Sequence, residues 1–259
     1  MKKLLTLSLL GLAVAAASSA QARDYDNVRI GVDVPYEPME FRTAEGELTG
    51  FDIDLGNELC DRMGVTCEWV EQAWDGIIPG LMSRNYDAIM SSMTINEERR
   101  AQVLFSDPYI TMPSAWFAAS DLGVSEATKE TLEGMTIGVQ RGTLQDNYVT
   151  DNFSDVAEIS RYSTADDMVL DMAAERLDIV FLDFPIGQST LLESDEAEYV
   201  VVGERISEPK EYFGDGFGIA FRQRDEALAE KFNEALAEVQ EDGTYDEIYA
   251  RYFGEEDAE

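Results

Sequence analysis

The stretch "TGFDIDLGNELCDRMGVTCEWVE", residues 49–71, pairs a helix with a strand and decides the class of fold. Apolar side chains recur at every fourth position in its first half, at Phe51, Leu55, Leu59 and Met63. This spacing predicts a helix that buries one face and ends at the following Gly64. The alternation in "CEWVE" then predicts a strand, so a helix and a strand follow each other directly.

The same succession of strands and helices continues along the chain on both sides of this stretch. Strand patterns occur in "VRIGVD", "YDAIMSSM", "MTIGVQ", "AEISRY" and "DIVFLD", and helical patterns in "TLQDNYVTDNF" and "TADDMVLDMAAERL". This alternation is typical of an α/β protein, and its two similar series predict two lobes of similar plan. Glycines at 214, 216 and 218 suggest a joint between the lobes, although an ordinary glycine-bearing loop explains them equally well.

The charge of the chain is strongly one-sided, with 53 acidic and 19 basic residues and a formal net charge of -34. Such a protein repels itself in dilute buffer, whereas at about 1 M salt the screening length falls to about 3 Å. We therefore expect it to work in a salty external medium. Nucleic acids and anionic membrane surfaces need a positive face, so neither is an expected partner.

The first 22 residues, "MKKLLTLSLLGLAVAAASSAQA", have the order of a secretory signal peptide, with two lysines, an apolar run and a small-residue cleavage site. We predict cleavage after Ala22 and export to the periplasm. The apolar run is too short to favour a permanent membrane span.

The two cysteines of the chain, Cys60 and Cys67, stand close together in "ELCDRMGVTCEWV". In an exported protein such a pair indicates a disulfide that closes a short loop. A metal site is the alternative, but two thiolates in a chain without histidine would leave a soft metal with too few ligands.

Catalytic constellations find little support in this composition. The absence of histidine excludes a conventional nucleophilic triad, and carboxylates are so frequent that no particular acid and base pair stands out. A Ser-Lys pair could use only Lys129, Lys210 or Lys231, which all lie in strongly polar segments. We therefore expect a protein that is not an enzyme.

Side chains that suit a zwitterion stand where predicted strands end. Arg99 follows the "SSMT" run at 91–94, Asp183 ends "DIVFLD", and Tyr36 and Trp74 lie in loops after strands. A guanidinium binds a carboxylate through two parallel hydrogen bonds, a carboxylate accepts from an ammonium, and aromatic rings form an apolar wall. Taken singly, each has an ordinary explanation: an ion pair for Arg99, a helix cap for Asp183 and core packing for the two aromatics.

Six ordered blocks of the chain resemble the periplasmic amino-acid-binding proteins of ABC importers, and look most like the branch that binds lysine, arginine, ornithine and histidine. The blocks are "GVDVPYEPMEF", "GELTGFDIDLGNELCDRM", "WDGIIPGLMSRNYDAIMSSMTINEERR", "GVQRGTLQ", "DIVFLD" and "EDGTYDEIYARYF". The resemblance implies a two-lobe α/β fold of the type II binding proteins, with two hinge crossovers. It also implies capture of one free amino acid by lobe closure, without a cofactor, and delivery to a membrane permease.

Carried over position by position, the resemblance implies a set of ligand-binding residues. These are Asp33, Tyr36, Asp52, Trp74, Ser91, Ser92, Thr94, Arg99, Leu144, Gln145 and Asp183. Arg99, with backbone groups of Thr94 and Leu144, would hold the α-carboxylate. Asp183 and the Ser92 region would take the α-ammonium.

The remaining positions concern the side chain of the ligand. Tyr36 and Trp74 would sandwich it, and Asp33, Asp52 and Gln145 would line the distal end of the pocket, where carboxylates could meet a cation. We therefore expect arginine, lysine, ornithine or histidine as the ligand.

Other readings remain open at this point. Gln140, Arg141 and Leu144 depart from the closest basic-amino-acid binders, and an inward Arg141 would disfavour a cationic ligand, although we expect it to be exposed. The alternatives are an uncharged polar amino acid or amino-acid derivative, or a dehydratase-like periplasmic enzyme on the same scaffold.

The resemblance also divides the chain into parts. We expect lobe 1 to comprise 24–111 and 217–255, lobe 2 to comprise 112–207, and 208–216 to form the second hinge segment. The protein is expected to be a monomer.

Overall fold

The computed structural model describes residues 25–193 and 198–254, so the predicted signal peptide lies outside the described residues. Two five-stranded sheets with helices packed against them form a mixed α/β structure. This confirms the predicted two-lobe α/β class of fold. Within the described part of the chain, the search for a helix with the length and apolar character of a membrane span finds none.

The first sheet is built from both ends of the chain. Its strands are β1 (Asn27–Val32), β4 (Thr66–Glu71), β5 (Ala88–Ile89), β6 (Val103–Phe105) and β12 (Ala220–Arg222), in the order β4-β1-β5-β12-β6. β1 runs parallel to β4 and β5, whereas β12 is antiparallel to β5 and β6. The alternation in "VRIGVD" places Val28, Ile30 and Val32 in the core, where all three are fully buried. A small hairpin, β2 (Phe41–Arg42) and β3 (Leu48–Thr49), precedes the first helix.

The second sheet uses the middle of the chain. Its strands are β7 (Ser114–Ala119), β8 (Thr136–Gln140), β9 (Glu158–Tyr162), β10 (Ile179–Asp183) and β11 (Tyr199–Ile206), in the order β11-β7-β10-β8-β9. β8, β9 and β10 are parallel, and β7 is antiparallel to both of its neighbours. β10 is buried along its whole length, as the apolar run "IVFL" predicts.

Helices cover both sheets. They are α1 (Phe51–Met63), α2 (Ile77–Met82), α3 (Glu97–Arg100), α4 (Leu144–Phe153), α5 (Ala165–Ala173), α6 (Phe184–Gly187), α7 (Lys210–Phe213), α8 (Glu226–Glu241) and α9 (Thr244–Phe253). Short 3₁₀ turns at Trp74–Gly76 and Ser120–Leu122, and a π-helical turn at Gln188–Leu192, complete the regular structure of the described residues.

α1 has the bounds that the apolar spacing predicts. Phe51, Leu55 and Leu59 are buried, and Gly64 closes the helix in the left-handed conformation with φ 68°. Cys60 in the last turn of α1 forms a disulfide with Cys67 in β4, with the two Cα atoms 6.1 Å apart. The disulfide prediction is confirmed, so these thiols are not available for the alternative metal site.

Two segments carry the chain between the sheets, after β6 and after β11. The second of them returns beside the first, because Phe217 N donates to Ile110 O at 2.7 Å and Tyr109 N donates to Phe217 O at 2.9 Å. Gly216 has φ 103°, and a Cβ there would lie 2.7 Å from Ile110 O, so this close approach requires glycine. Of the three glycines that the sequence suggests as a joint, Gly216 lies where the two crossing segments meet, and Gly214 and Gly218 lie against Ile95.

Candidate functional site

Arg99 lies at the first-sheet side of a cavity between the two sheets. Asn96 caps α3 by accepting a hydrogen bond from Arg99 N, and Arg99 Nη1 donates to Thr94 O at 3.0 Å. The side chain is 7% exposed, and its guanidinium has no ion-pair partner among the described residues. Burial lowers the pKa of Arg99 to about 10, so the group stays cationic at neutral pH. A buried, charged fork without a carboxylate partner suits an anionic ligand group.

Asp183 ends β10 and reaches the same cavity from the second sheet. Its Oδ1 accepts from Gln145 Nε2 at 2.7 Å and from Ser114 Oγ at 3.2 Å, and its Oδ2 accepts from Tyr36 Oη at 2.7 Å. Burial raises the pKa of Asp183 to about 6, opposed by these donors and by the charge of Arg99. The carboxylate is thus fixed in orientation, and its charged form gains from a nearby cation.

Asp33 follows β1 and carries a second carboxyl group into the cavity. Its Oδ2 accepts from Gln140 Nε2 at 2.7 Å, and its backbone N–H donates to Ser91 Oγ at 2.9 Å. Burial raises the pKa of Asp33 to about 6, while the Gln140 amide and the backbone of Trp74 act in the opposite direction. Gln140 ends β8, so this bond joins the ends of strands in different sheets.

The Trp74 side chain flanks the arginine. Its ring centroid lies 5.2 Å from Arg99 Cζ, which is within the range of a cation–π contact. Its Nε1 donates to Gly142 O at 3.0 Å. Like the Tyr36–Asp183 and Gln140–Asp33 bonds, this bond connects the side of the first sheet to the side of the second. The three bonds hold the two sheets closed over the cavity.

The cavity takes its lining residues from the sides of both sheets. It is lined by Asp33, Tyr36, Glu40, Trp74, Ser91, Ser92, Thr94, Arg99, Gln140, Thr143, Leu144, Gln145 and Asp183. The structure therefore brings ten of the eleven ligand-binding residues of the sequence analysis to one place. Asp33, Glu40 and Asp183 supply three carboxyl groups against the single guanidinium of Arg99, so the lining has an excess of acidic groups.

Asp52 is the residue that the expectation misplaces, because it does not line the cavity. It lies in the first turn of α1, is 0% exposed and sits beneath the pocket. Its Oδ2 accepts from Ser92 N at 2.7 Å and from Tyr109 Oη at 2.9 Å. The helix turns this side chain towards the loop that carries the serines, so it supports the pocket from behind.

Gln145 lines the cavity in a different place from the one expected. Its amide donates to Asp183 and Ser114, so it belongs with the carboxylate of Asp183 and makes no hydrogen bond to Asp33 among the described residues. Arg141 is turned outward, as expected. Its side chain is 50% exposed and lies 4.0 Å from Asp75.

Sequence reasoning missed Glu40, Gln140 and Thr143 as lining residues. Gln140 and Thr143 had a usable signal, because Gln140 ends a parallel strand and Thr143 caps α4 by accepting from Asp146 N. Glu40 had no usable sequence signal, because its position depends on a turn in which Tyr36 N donates to Glu40 O.

Comparisons with known proteins identify the relatives of this chain. Residues 28–255 match the model of the bacterial extracellular solute-binding proteins, family 3. An L-arginine-binding protein of Pseudomonas aeruginosa is 38% identical over 255 residues, covering 98% of this chain and 97% of that protein. The lysine/arginine/ornithine-binding periplasmic protein of Escherichia coli is also 38% identical over 255 residues, with 97% of this chain and 96% of that protein covered.

Among solved structures, an ancestral arginine-binding protein bound to arginine superposes with a TM-score of 0.82 at 33% identity, covering 88% of this chain and 99% of that one. An ancestral arginine-binding protein bound to glutamine gives a TM-score of 0.81 at 33% identity, covering 89% of this chain and 99% of that one. The chain therefore belongs to the bacterial extracellular solute-binding proteins, family 3.

Proposed function

We propose that this protein captures a free cationic amino acid, such as arginine, lysine, ornithine or histidine, in the periplasm and delivers it unchanged to the permease of an ABC importer. The observation that carries the proposal is the composition of the cavity, in which the carboxyl groups of Asp33 and Asp183 lie opposite the guanidinium of Arg99. An amino acid with a cationic side chain brings two positive groups and one negative group. It therefore complements the lining better than a neutral or acidic amino acid does.

Each end of the ligand has a partner in this arrangement. The α-carboxylate binds Arg99, which has no other ion-pair partner among the described residues, and the backbone beside Thr94 and Leu144 adds to this contact. The α-ammonium binds Asp183, whose orientation is set by three donors. Ser92 Oγ is buried without a hydrogen-bond partner in the described structure and adds an acceptor for this end.

The side chain of the ligand lies between the rings of Tyr36 and Trp74 and extends towards Asp33. A cation near Asp33 stabilises its ionised form, which burial disfavours. Asp52 has no direct contact with the ligand in this proposal, because it is bound beneath the pocket.

Closure follows from the position of the ligand between the sheets. Lobe 1, residues 24–111 and 217–255, carries Arg99, and lobe 2, residues 112–207, carries Asp183. The segment 208–216 and the chain around 112 bend as the lobes come together. A zwitterion that contacts both residues favours the closed arrangement, because it makes both contacts only there.

One observation favours the alternative of an uncharged polar ligand. Asp33 already accepts from the Gln140 amide at 2.7 Å, so its charge has a neutral donor before any ligand is considered. A ligand whose side chain ends in a neutral amide, such as glutamine, would donate to the Asp33 carboxylate and accept from the Gln140 amide.

The deciding experiment is a thermal-shift screen of the exported protein against the common amino acids and ornithine at molar salt, followed by calorimetry. Arginine, lysine, ornithine or histidine should raise Tm, and the recovered ligand should be chemically unchanged by chromatography. A shift with glutamine alone would favour the uncharged alternative. A screen without any shift, or a converted ligand, would contradict the proposal.

A further inference from the structure

Glu40, which lines the pocket, is in contact with Asp52, which lies beneath it. They are 1% and 0% exposed, and each has one buried oxygen, Glu40 Oε2 and Asp52 Oδ1, without a donor among the described residues. The two carboxyl groups are within hydrogen-bonding contact of each other. Two carboxyl groups can share a hydrogen bond only if one of them carries a proton, so this contact requires a proton on the pair.

The surroundings indicate which group holds this proton. Asp52 accepts from Ser92 N at 2.7 Å and from Tyr109 Oη at 2.9 Å, and both bonds stabilise its ionised form. Glu40 has one such donor, Ser91 Oγ at 2.6 Å. We propose that Glu40 is a carboxylic acid that donates its proton to the carboxylate of Asp52, and that this pair positions Ser91 and Ser92 in the ligand pocket.

The pair reaches both serines by different atoms. Glu40 accepts from Ser91 Oγ, which in turn accepts from Asp33 N, so the acid fixes the hydroxyl group beside the end of β1. Asp52 holds the backbone N–H of Ser92, which has a left-handed φ of 49°. This conformation is unfavourable for a residue with a side chain and persists only where its surroundings impose it. Losing the pair would release both constraints on the loop.

Within the described part of the chain, no cation is among the main influences on the pKa values of the pair. The titratable groups that face it are Asp33, Tyr36, Tyr109 and Tyr245, which are all acidic or neutral. Removing the shared proton would therefore leave two negative charges in contact in a buried place. Burial raises the pKa of Glu40 well above its usual value and that of Asp52 to about 7.

The direction of the pH dependence follows from these pKa values. The folded protein holds a proton that the unfolded chain releases by about pH 5, so the pair contributes fully at low pH. Its contribution decreases as pH rises through 7. The Glu40→Gln variant keeps a donor towards Asp52 and an acceptor towards Ser91 but has no proton to lose.

The main test is thermal unfolding of the ligand-free protein between pH 5 and pH 9, for the parent, Glu40→Gln and the control Glu45→Gln, which changes an exposed glutamate. The parent and the control should lose Tm across this range, and Glu40→Gln should lose about 5 °C less. Equal pH dependence in all three proteins would overturn the proposal. If Glu40→Gln does not fold, infrared spectroscopy of the parent decides, because the proposal requires a carboxylic-acid C=O band at pH 8.

A binding measurement tests the positioning role and rests on the proposed function. Glu40→Ala should weaken arginine binding at least tenfold at pH 7, and Glu40→Gln should restore it to within about threefold of the parent. Equal weakening by both variants would contradict the positioning role. If the parent binds no amino acid, the proposed function fails, while the thermal and infrared measurements still decide whether the pair exists.

Discussion

Replacing Arg99 by methionine should separate ligand affinity from stability. In the protein itself the guanidinium donates to Thr94 O and contacts the Trp74 ring, without an ion-pair partner among the described residues. Methionine has a similar apolar stem but no charge. The buried guanidinium charge that it removes is unfavourable, because desolvation lowers the pKa of Arg99. The lost hydrogen bond is worth about 1 kcal/mol, and relief of the buried charge offsets it. The free energy of unfolding of the ligand-free protein should therefore change by no more than about 1 kcal/mol.

Binding should respond much more strongly to the same change. The ligand carboxylate loses its charged partner inside an enclosed site, which costs about 3–5 kcal/mol, or about 10²- to 10⁴-fold in Kd. The matched control is Arg100→Met, because Arg100 is the neighbouring arginine, 52% exposed and 3.9 Å from Asp215. A surface pair of this kind is worth about 0–1 kcal/mol, and the control should bind almost as well as the parent.

Calorimetry with arginine at molar salt, together with chemical unfolding of the ligand-free proteins, measures both quantities. The reasoning is wrong if Arg99→Met binds within tenfold of the parent. It is also wrong if the two arginine variants weaken binding equally, because the effect would then come from overall charge.

Three further predictions concern the opposite side of the pocket, the protons of the site and the disulfide. Asp183→Asn should weaken arginine binding by about 2–4 kcal/mol in calorimetry, because the ammonium loses its charged partner, and an unchanged Kd would exclude that role. Burial raises the pKa values of Asp33 and Asp183 to about 6, and a bound cation lowers them again. Ligand binding near pH 6 should therefore release protons, and affinity should decrease as pH falls. Calorimetry in buffers of different ionisation enthalpy should detect the released protons. Replacing Cys60 and Cys67 by serine should lower the free energy of unfolding by about 2.5 kcal/mol in denaturant titrations, since a closed loop of about eight residues is lost.

The class of fold was predictable because its signals are local. The four-residue spacing from Phe51 and the glycine after Met63 gave the bounds of α1, and the apolar run before Asp183 gave a strand that is buried in the structure. α9 was not identified from periodicity, because only Ile248 in it is fully buried and aromatic side chains cover much of its contact surface.

The candidate site was predictable where a residue ends a strand, and least so where its position depends on a distant contact. Asp33, Arg99 and Asp183 follow or end strands, so their convergence follows from topology and the resemblance. Asp52 was misplaced because its helical position does not tell whether the first turn faces the cavity or the loop beneath it. Glu40 was missed because only the fold brings it to Asp52 and Ser91.

The three hydrogen bonds that cross between the sheets bear on how selective the protein can be. Tyr36, Trp74 and Gln140 supply the donors, and every acceptor belongs to the protein itself. The free energy that these bonds add to the closed state is the same for every ligand that fits. It therefore increases the affinity for all of them and does not distinguish one amino acid from another. Discrimination has to come from the few charged atoms inside, and the same three bonds have to open whenever any ligand enters or leaves the cavity.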